Sequence, residues 1–475
     1  MYATVFCKTA DNFTALHLMK FIFSRAIILY TICVFPVKTL ATEKPTAIFH
    51  AFNQQYSEVE QFVCELGKQG YSHIQTSPTQ KSNPSREWWA RYQPVDYSVI
   101  EGRGSQADLK KLITKAHSCN VKVIADVVFN HMANLDGNDD FEDLTKFPGL
   151  SVDDFNFASE RPGKKPCDIN YNDGNRDSEI NCWLGGLPDF KFTINVKKIQ
   201  KAHLKKLLDI GIDGFRFDAA KHMPADVVKE YISYVEQQSQ RKVWNYLEVI
   251  TDSDTSAENY NWIAAVTDFV LYNSMKNAFS FGGDLRSLRV PTAINDPRSV
   301  TFGRNHDTIR EINSYAINPY SDRSDSFLAT AYVLARESGT PLILNWDHTD
   351  ANFIRYGVKF RQIMRQRGNE GKNIKENVLA VVDSSTVLLM ERGSEGFFVV
   401  NKGENKFNVS AVDLTLTNLE GCYRELRNNF TVAVERRNNG KKFITRWGTW
   451  NRGGMEVQRR DALYFIREPF NQCRA

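Results

Sequence analysis

The sequence predicts an α/β fold: a (β/α)8 barrel (TIM barrel) with a loop-rich subdomain inserted after strand 3 and a C-terminal antiparallel β-sandwich domain. Three observations carry this. Eight short β-rich runs recur along the chain, and amphipathic stretches with apolar residues at three- and four-residue spacing lie between several of them. The third and fourth runs begin 93 residues apart, whereas the other starts differ by 26 to 48, so the third connection carries an insert. After about Asn377 the helical period disappears, and short runs separated by Gly, Asn and Asp turns take over.

In chain order, the predicted barrel strands are 47–52, 73–77, 121–128, 214–219, 243–250, 269–272, 300–305 and 341–346. The predicted helices include 57–68, 105–118, 195–208 and 224–238. The expected division is 42–130 with 191–376 for the barrel, 131–190 for the insert and 377–475 for the β domain. The insert is rich in Asp, Asn, Gly and Pro and holds Cys167 and Cys182, whose pairing would tie down a segment with little core of its own.

Composition bounds the function. With 42% hydrophobic and 12% aromatic residues the chain can build packed cores, and 60 Lys+Arg against 56 Asp+Glu leave a formal charge of +4. No sustained basic run marks a nucleic-acid partner. Residues 19–41 follow the order of a secretory signal: Met19 with Lys20 and Arg25, an apolar core over 26–34, then small residues up to Ala41. That core is short for a membrane span, so an exported protein is expected, extracellular or periplasmic in a bacterium. Met19 is the expected true start, and an uncleaved signal anchor is the alternative. Without 1–41, six cysteines remain, an even count that suggests disulfides in an exported chain. Asn408 and Asn429 head glycosylation sequons.

The stretch 211–222 alternates apolar and polar residues from Ile212 to Asp218, which puts Arg216 and Asp218 on one side of a strand. A cation two residues from a carboxylate holds it ionised, as a nucleophile, a metal ligand or one half of a structural ion pair. Strand ends decide what a barrel does. The third run ends in Asp126 to His131, the fourth in Arg216 to His222, the fifth in Glu248 and the seventh in Asn305, His306 and Asp307. Convergent carboxylates without a redox motif or phosphate loop suit glycosidic bond cleavage. Trp88, Trp89 and Tyr92 follow the second strand, where aromatic rings can stack on sugars.

These four blocks, with 75–82, 88–94 and 186–189, resemble the alpha-amylase family of glycoside hydrolases, and in particular its animal-type branch. The resemblance implies retaining endo-hydrolysis of α-1,4-glucosidic bonds in starch or glycogen. It makes Asp218 the nucleophile, Glu248 the general acid and base, and Asp307 the stabiliser of the distorted sugar. It places Trp88, Trp89, Tyr92, Gln93, His131, Arg216, Lys221, His222 and His306 against substrate. It implies calcium held by Asn130, Asp189 and backbone carbonyls near Ile180 and at His222, hard oxygens of the kind calcium prefers. It also pairs Cys64 with Cys119 and Cys167 with Cys182, leaving Cys422 with Cys473. Chloride is not predicted, because the third position of that branch's chloride site falls near Gly339 to Leu342 and is not basic. A transglycosylase or an exo-acting maltooligosaccharide-forming relative would share every catalytic residue, and a non-catalytic glucan-binding barrel is the alternative from another class. A monomer with an α-glucan as its only partner is expected.

Overall fold

The computed structural model describes residues 44–473 except 136–145, 160, 162, 295–297, 311–321 and 447–453. The expected signal over 1–41 lies outside the described residues.

Eight parallel strands close a barrel in sequence order: β1 (Ile48–Ala51), β2 (His73–Thr76), β3 (Lys122–Val128), β4 (Gly214–Asp218), β5 (Tyr246–Leu247), β6 (Ala265–Thr267), β7 (Ser299–Thr301) and β8 (Thr340–Leu344), with β8 pairing back onto β1. Around them stand α1 (Tyr56–Gln69), α2 (Gln106–Ser118), α4 (Ile194–Ile210), α5 (Ala225–Gln238), α6 (Phe269–Phe279), α7 (Asp322–Ala335), the short α8 (Asn345–Asp350) and α9 (Asn352–Asn369), while α3 (Asp177–Asn181) belongs to the insert. Helix starts and stops follow local chemistry. Ser105 caps α2 by accepting from Asp108 N, and Gly211 ends α4 at φ 111°, where a side chain would be strained. Gly214 then opens β4 where a Cβ would sit 1.9 Å from the Trp244 carbonyl oxygen, so only glycine lets the adjacent chain come this close.

Several strands differ from expectation, the seventh among them, which ends at Thr301. Residues 269–272 are not the sixth strand; they open α6, and the strand is Ala265–Thr267 just before it. A short apolar run has no decisive period, and Asp268 settles the matter by accepting from Leu271 N at 2.8 Å as the helix cap. The fifth strand shrinks from 243–250 to Tyr246–Leu247 because the Asn245 side chain, not backbone, takes the Phe215 N–H at 3.0 Å. The eighth run also stops early: Asn345 and Trp346 already belong to α8.

Beyond the barrel, a seven-stranded antiparallel sheet runs from Glu376–Val378 to Asp461–Glu468, with a two-stranded ribbon, Phe407–Asn408 with Glu456–Val457, as the partial second layer. Its period-2 side chains serve two cores. Leu388, Met390, Phe398, Val400 and Tyr464 join the barrel core, while Leu389, Phe397, Val399 and Phe465 pack with the ribbon's Val457. The three expected disulfides form, Cys64–Cys119, Cys167–Cys182 and Cys422–Cys473, with Cα–Cα distances of 5.2, 5.2 and 5.6 Å. No helix among the described residues is long and apolar enough to cross a membrane.

Candidate active site

Arg216 is the hub. It lies in the middle of β4, 2% exposed, with its guanidinium at the strands' C-terminal ends. One terminal nitrogen reaches Asp126 Oδ1 at 2.8 Å and Oδ2 at 2.9 Å from β3, and Asp218 Oδ1 at 2.6 Å. The other pairs with Glu248 Oε1 at the end of β5. Sequence reasoning gave the arginine one carboxylate; the closed barrel gives it three. Asp126 was visible only as part of a block, because a parallel strand's contacts to its neighbour cannot be read from spacing along one strand.

Two local turns aim the acids. After Asp218 the chain enters the left-handed region at Ala219, φ 47°, a conformation costly for a residue with a Cβ. That turn points the Ala219 N–H at Glu248 Oε2, 3.0 Å away. On the β7 side, Asn305 Oδ1 accepts from Asp307 N at 3.1 Å and Thr308 N at 2.9 Å, fixing the loop that presents Asp307.

Electrostatics follow from crowding. Three carboxyls, those of Asp126, Asp218 and Glu248, share one guanidinium and Asp307 stands near them, so full ionisation would leave a large uncompensated charge in a buried site. Burial pushes Asp218 and Asp307 well above the usual carboxylate range; Arg216 opposes this at both, while Glu248 adds to it. Burial raises Glu248, but Arg216, His306, the Ala219 N–H and Asp307 together hold it below its usual value. These directions favour the ionised form at Glu248 over Asp218 and Asp307, which would share the proton. Burial also pulls His131 down to about 4, His222 to about 4 and His306 to about 3, so all three rings are neutral hydrogen-bonding groups at pH 7.

A cleft of about 320 Å³ opens over these groups. Trp88, Trp89, Tyr92, Gln93, His131, Lys221 and His222 line it with Asp218, Glu248 and Asp307. Tyr92 stacks on His306 at 5.0 Å and donates to Asp126 Oδ2 at 3.2 Å, so its position is fixed before any sugar arrives. Lys221 is buried against Glu179 Oε1 at 3.3 Å and against Asp252, with the Tyr171 ring 4.5 Å from its nitrogen. Sequence reading missed Tyr171, Leu184, Leu187 and Ile250 as cleft residues. The first three lie in the weakly periodic insert, where nothing in the pattern says which side chains turn inward.

The oxygen donors also gather. Phe190 N donates to Asn130 O at 3.1 Å, which places Asp189 beside the end of β3, and His222 Nδ1 donates to Glu179 O at 2.8 Å, which brings α3 and Ile180 to the same region. Asn130 Oδ1 and Asp189 Oδ1 are both buried without a hydrogen-bond partner. Among the described residues no group of three or more His, Cys, Asp or Glu could hold a metal, so a cation here would rest on amide and carbonyl oxygens besides Asp189.

A closed parallel barrel whose strand ends bring paired carboxylates into an aromatic-lined cleft defines a glycoside hydrolase. The family model "Alpha amylase, catalytic domain" matches residues 66–278. That match makes the chain similar to the alpha-amylase family over its barrel. The chain is 29% identical over 406 residues to an alpha-amylase of Aeromonas hydrophila, covering 75% of this chain and 84% of that one, and 31% identical over 340 residues to an alpha-amylase of Pecten maximus, covering 64% and 65%. Its fold is similar to the crystal structure of an alpha-amylase I mutant from Eisenia fetida in complex with maltohexaose, with a TM-score of 0.69 at 20% identity over 87% of this chain and 97% of that one.

Proposed function

We propose that this chain hydrolyses internal α-1,4-glucosidic bonds of starch-like glucans with retention of configuration, using Asp218 as nucleophile and Glu248 as acid and base. The observation that carries the roles is that both carboxyls sit on neighbouring nitrogens of one guanidinium and face one cleft. That arrangement suits the carboxyl separation of about 5 to 5.5 Å that retaining chemistry needs. A glucan entering the cleft displaces water, and the proton shared among the carboxyls passes to Glu248. Glu248 gives it to the glycosidic oxygen as that bond breaks, and Asp218 attacks the anomeric carbon to form a β-linked ester. Glu248, now ionised, takes a proton from water, which attacks the same carbon and frees Asp218. Asp307 binds sugar hydroxyls at the cleavage point, and Trp88, Trp89 and Tyr92 offer ring faces. Gln93, His131, His222 and His306 supply neutral hydrogen bonds. Lys221 acts on the leaving side through its pairing with Asp252 and Glu179.

The proposed divisions are 42–130 with 191–376 for the catalytic barrel, 131–190 for the insert and 377–475 for the β domain. Calcium fits Asn130, Asp189 and the carbonyls at Ile180 and His222, since two buried oxygens there lack partners. When bound it would clamp the insert onto the barrel. Three disulfides support export to an oxidising compartment.

The experiment is to compare Glu248→Gln and Asp218→Asn with the unaltered enzyme on starch. Both should lose about 10³-fold or more in kcat, and the unaltered enzyme should release α-configured oligosaccharides that are long at early times. Activity equal to the variants' removes the hydrolase roles, β-configured products remove retention, and one small product from the outset favours exo-action.

A further inference from the structure

The other end of the barrel carries a cavity unrelated to the cleft. The approaches to the N-terminal ends of β1 and β8, the last turns of α9 and the chain beyond it enclose about 570 Å³. Seven cationic side chains and one carboxylate, Glu337, line it. Two of the cations, Arg361 and Arg392, are only 7% and 2% exposed. Among the described residues neither has a carboxylate within ion-pair distance; Glu376 pairs with Arg336 instead, at 3.3 Å.

Part of this cluster is structural. Arg361 donates to the carbonyls of Thr46, Arg336, Glu337 and Gly339, and Arg392 donates from Nε to Ile374 O and from Nη1 to Ala335 O, both at 2.8 Å. These bonds satisfy the end of α7, but carbonyls are neutral and leave the charges uncancelled. Arg392 Nη2 has no protein acceptor among the described residues. Burial and then mutual repulsion pull Arg361 down to about 9, and burial pulls Arg392 down to about 10. Glu376, joined by Glu337 at Arg392, offsets these buried charges only in part, which leaves the cluster short of negative charge. A guanidinium's planar fork matches two oxygens of a tetrahedral oxyanion, and the exposed Lys372 and Lys375 at the rim add attraction without ion pairs of their own among the described residues.

We propose that this cavity binds a small divalent oxyanion, a sulfate or phosphate monoester, with its oxygens against Arg392 and its organic part, where there is one, in the remaining volume. The site lies at the N-terminal ends of the strands, so its occupant stabilises the barrel floor and leaves the chemistry at the opposite face unchanged.

The test uses the full enzyme with saturating calcium and constant ionic strength. Sulfate and glycerol 2-phosphate are titrated by calorimetry, and melting is followed in each against sodium chloride. Both probes should bind and raise the melting temperature by about 2 °C over chloride; binding by the monoester alone would show that the organic part contributes. The double variant Lys372→Ala/Lys375→Ala, whose side chains are at the surface, should weaken binding about tenfold with kcat/KM on starch unchanged. Arg392→Gln should abolish it. No heat and no melting shift beyond chloride for either probe would overturn the proposal, as would equal binding by the double variant and Arg392→Gln when both remain folded.

Discussion

At Arg216, one side chain is asked to serve three carboxylates from three strands. Arginine is suited to this because its fork presents donors in two directions, whereas a lysine offers a point charge. Arg216→Lys should therefore keep the fold, lower kcat by about 10²-fold and move the acid limb of the kcat/KM profile to higher pH. The sign follows from the contacts: the cation favours the ionised carboxyls, so weakening it raises their pKa, and the nucleophile becomes ionised only at higher pH. A pH–rate series on a soluble maltooligosaccharide checks this, and an unmoved acid limb would show that Arg216 does not govern the reacting group. The sequence made the Arg216 and Asp218 pair legible because alternation places i and i+2 on one side. It hid Asp126 as a partner, since that contact depends on the β3–β4 register, in which Asp126 stands opposite Arg216.

Among the elements, the existence of strands was more readable than their bounds: the fifth, seventh and eighth all end before the last residues of the runs that announced them. The fourth was recognisable from its alternation and its Arg–Asp rim, and the sixth was displaced because Ala265–Thr267 is too short to show a period beside the apolar start of α6. Helices were read to within two residues at either end, since their apolar spacing runs over three turns or more. The insert is the opposite case: its order comes from Cys167–Cys182, the Asp154 and Asp189 hydrogen bonds and the proposed cation, none of which has a period. Exhaustive chelation should lower the melting temperature by several degrees and speed proteolysis within 131–190. Asp189→Asn should melt lower in calcium and respond less to chelator. An unchanged melting curve would count against the calcium assignment.

For the whole molecule, the C-terminal sheet is a second layer on the barrel as well as a domain with its own core. Phe398 faces the barrel core fully buried, and Lys402 from the sheet donates to the carbonyls of Ala278, Ser280 and Gly283 at the end of α6. Phe398→Ala should thus cost about 3–5 kcal/mol, seen as a lower urea midpoint, with kcat nearly unchanged at temperatures where the variant is folded. The sequence showed a β domain but not this double use of its sheet: 387–392 and 396–401 are apolar on both sides, and only the structure says which face meets the barrel.

The central claim, that Asp218 is the nucleophile of a retaining reaction assisted by Glu248, can be tested by trapping. Glu248→Gln supplied with an α-maltosyl fluoride needs no acid for the first step and lacks the base for the second. Peptide mapping by mass spectrometry should then find one maltosyl group esterified to the peptide that contains Asp218. An adduct on any other residue, or inverted product released with no adduct, would contradict it.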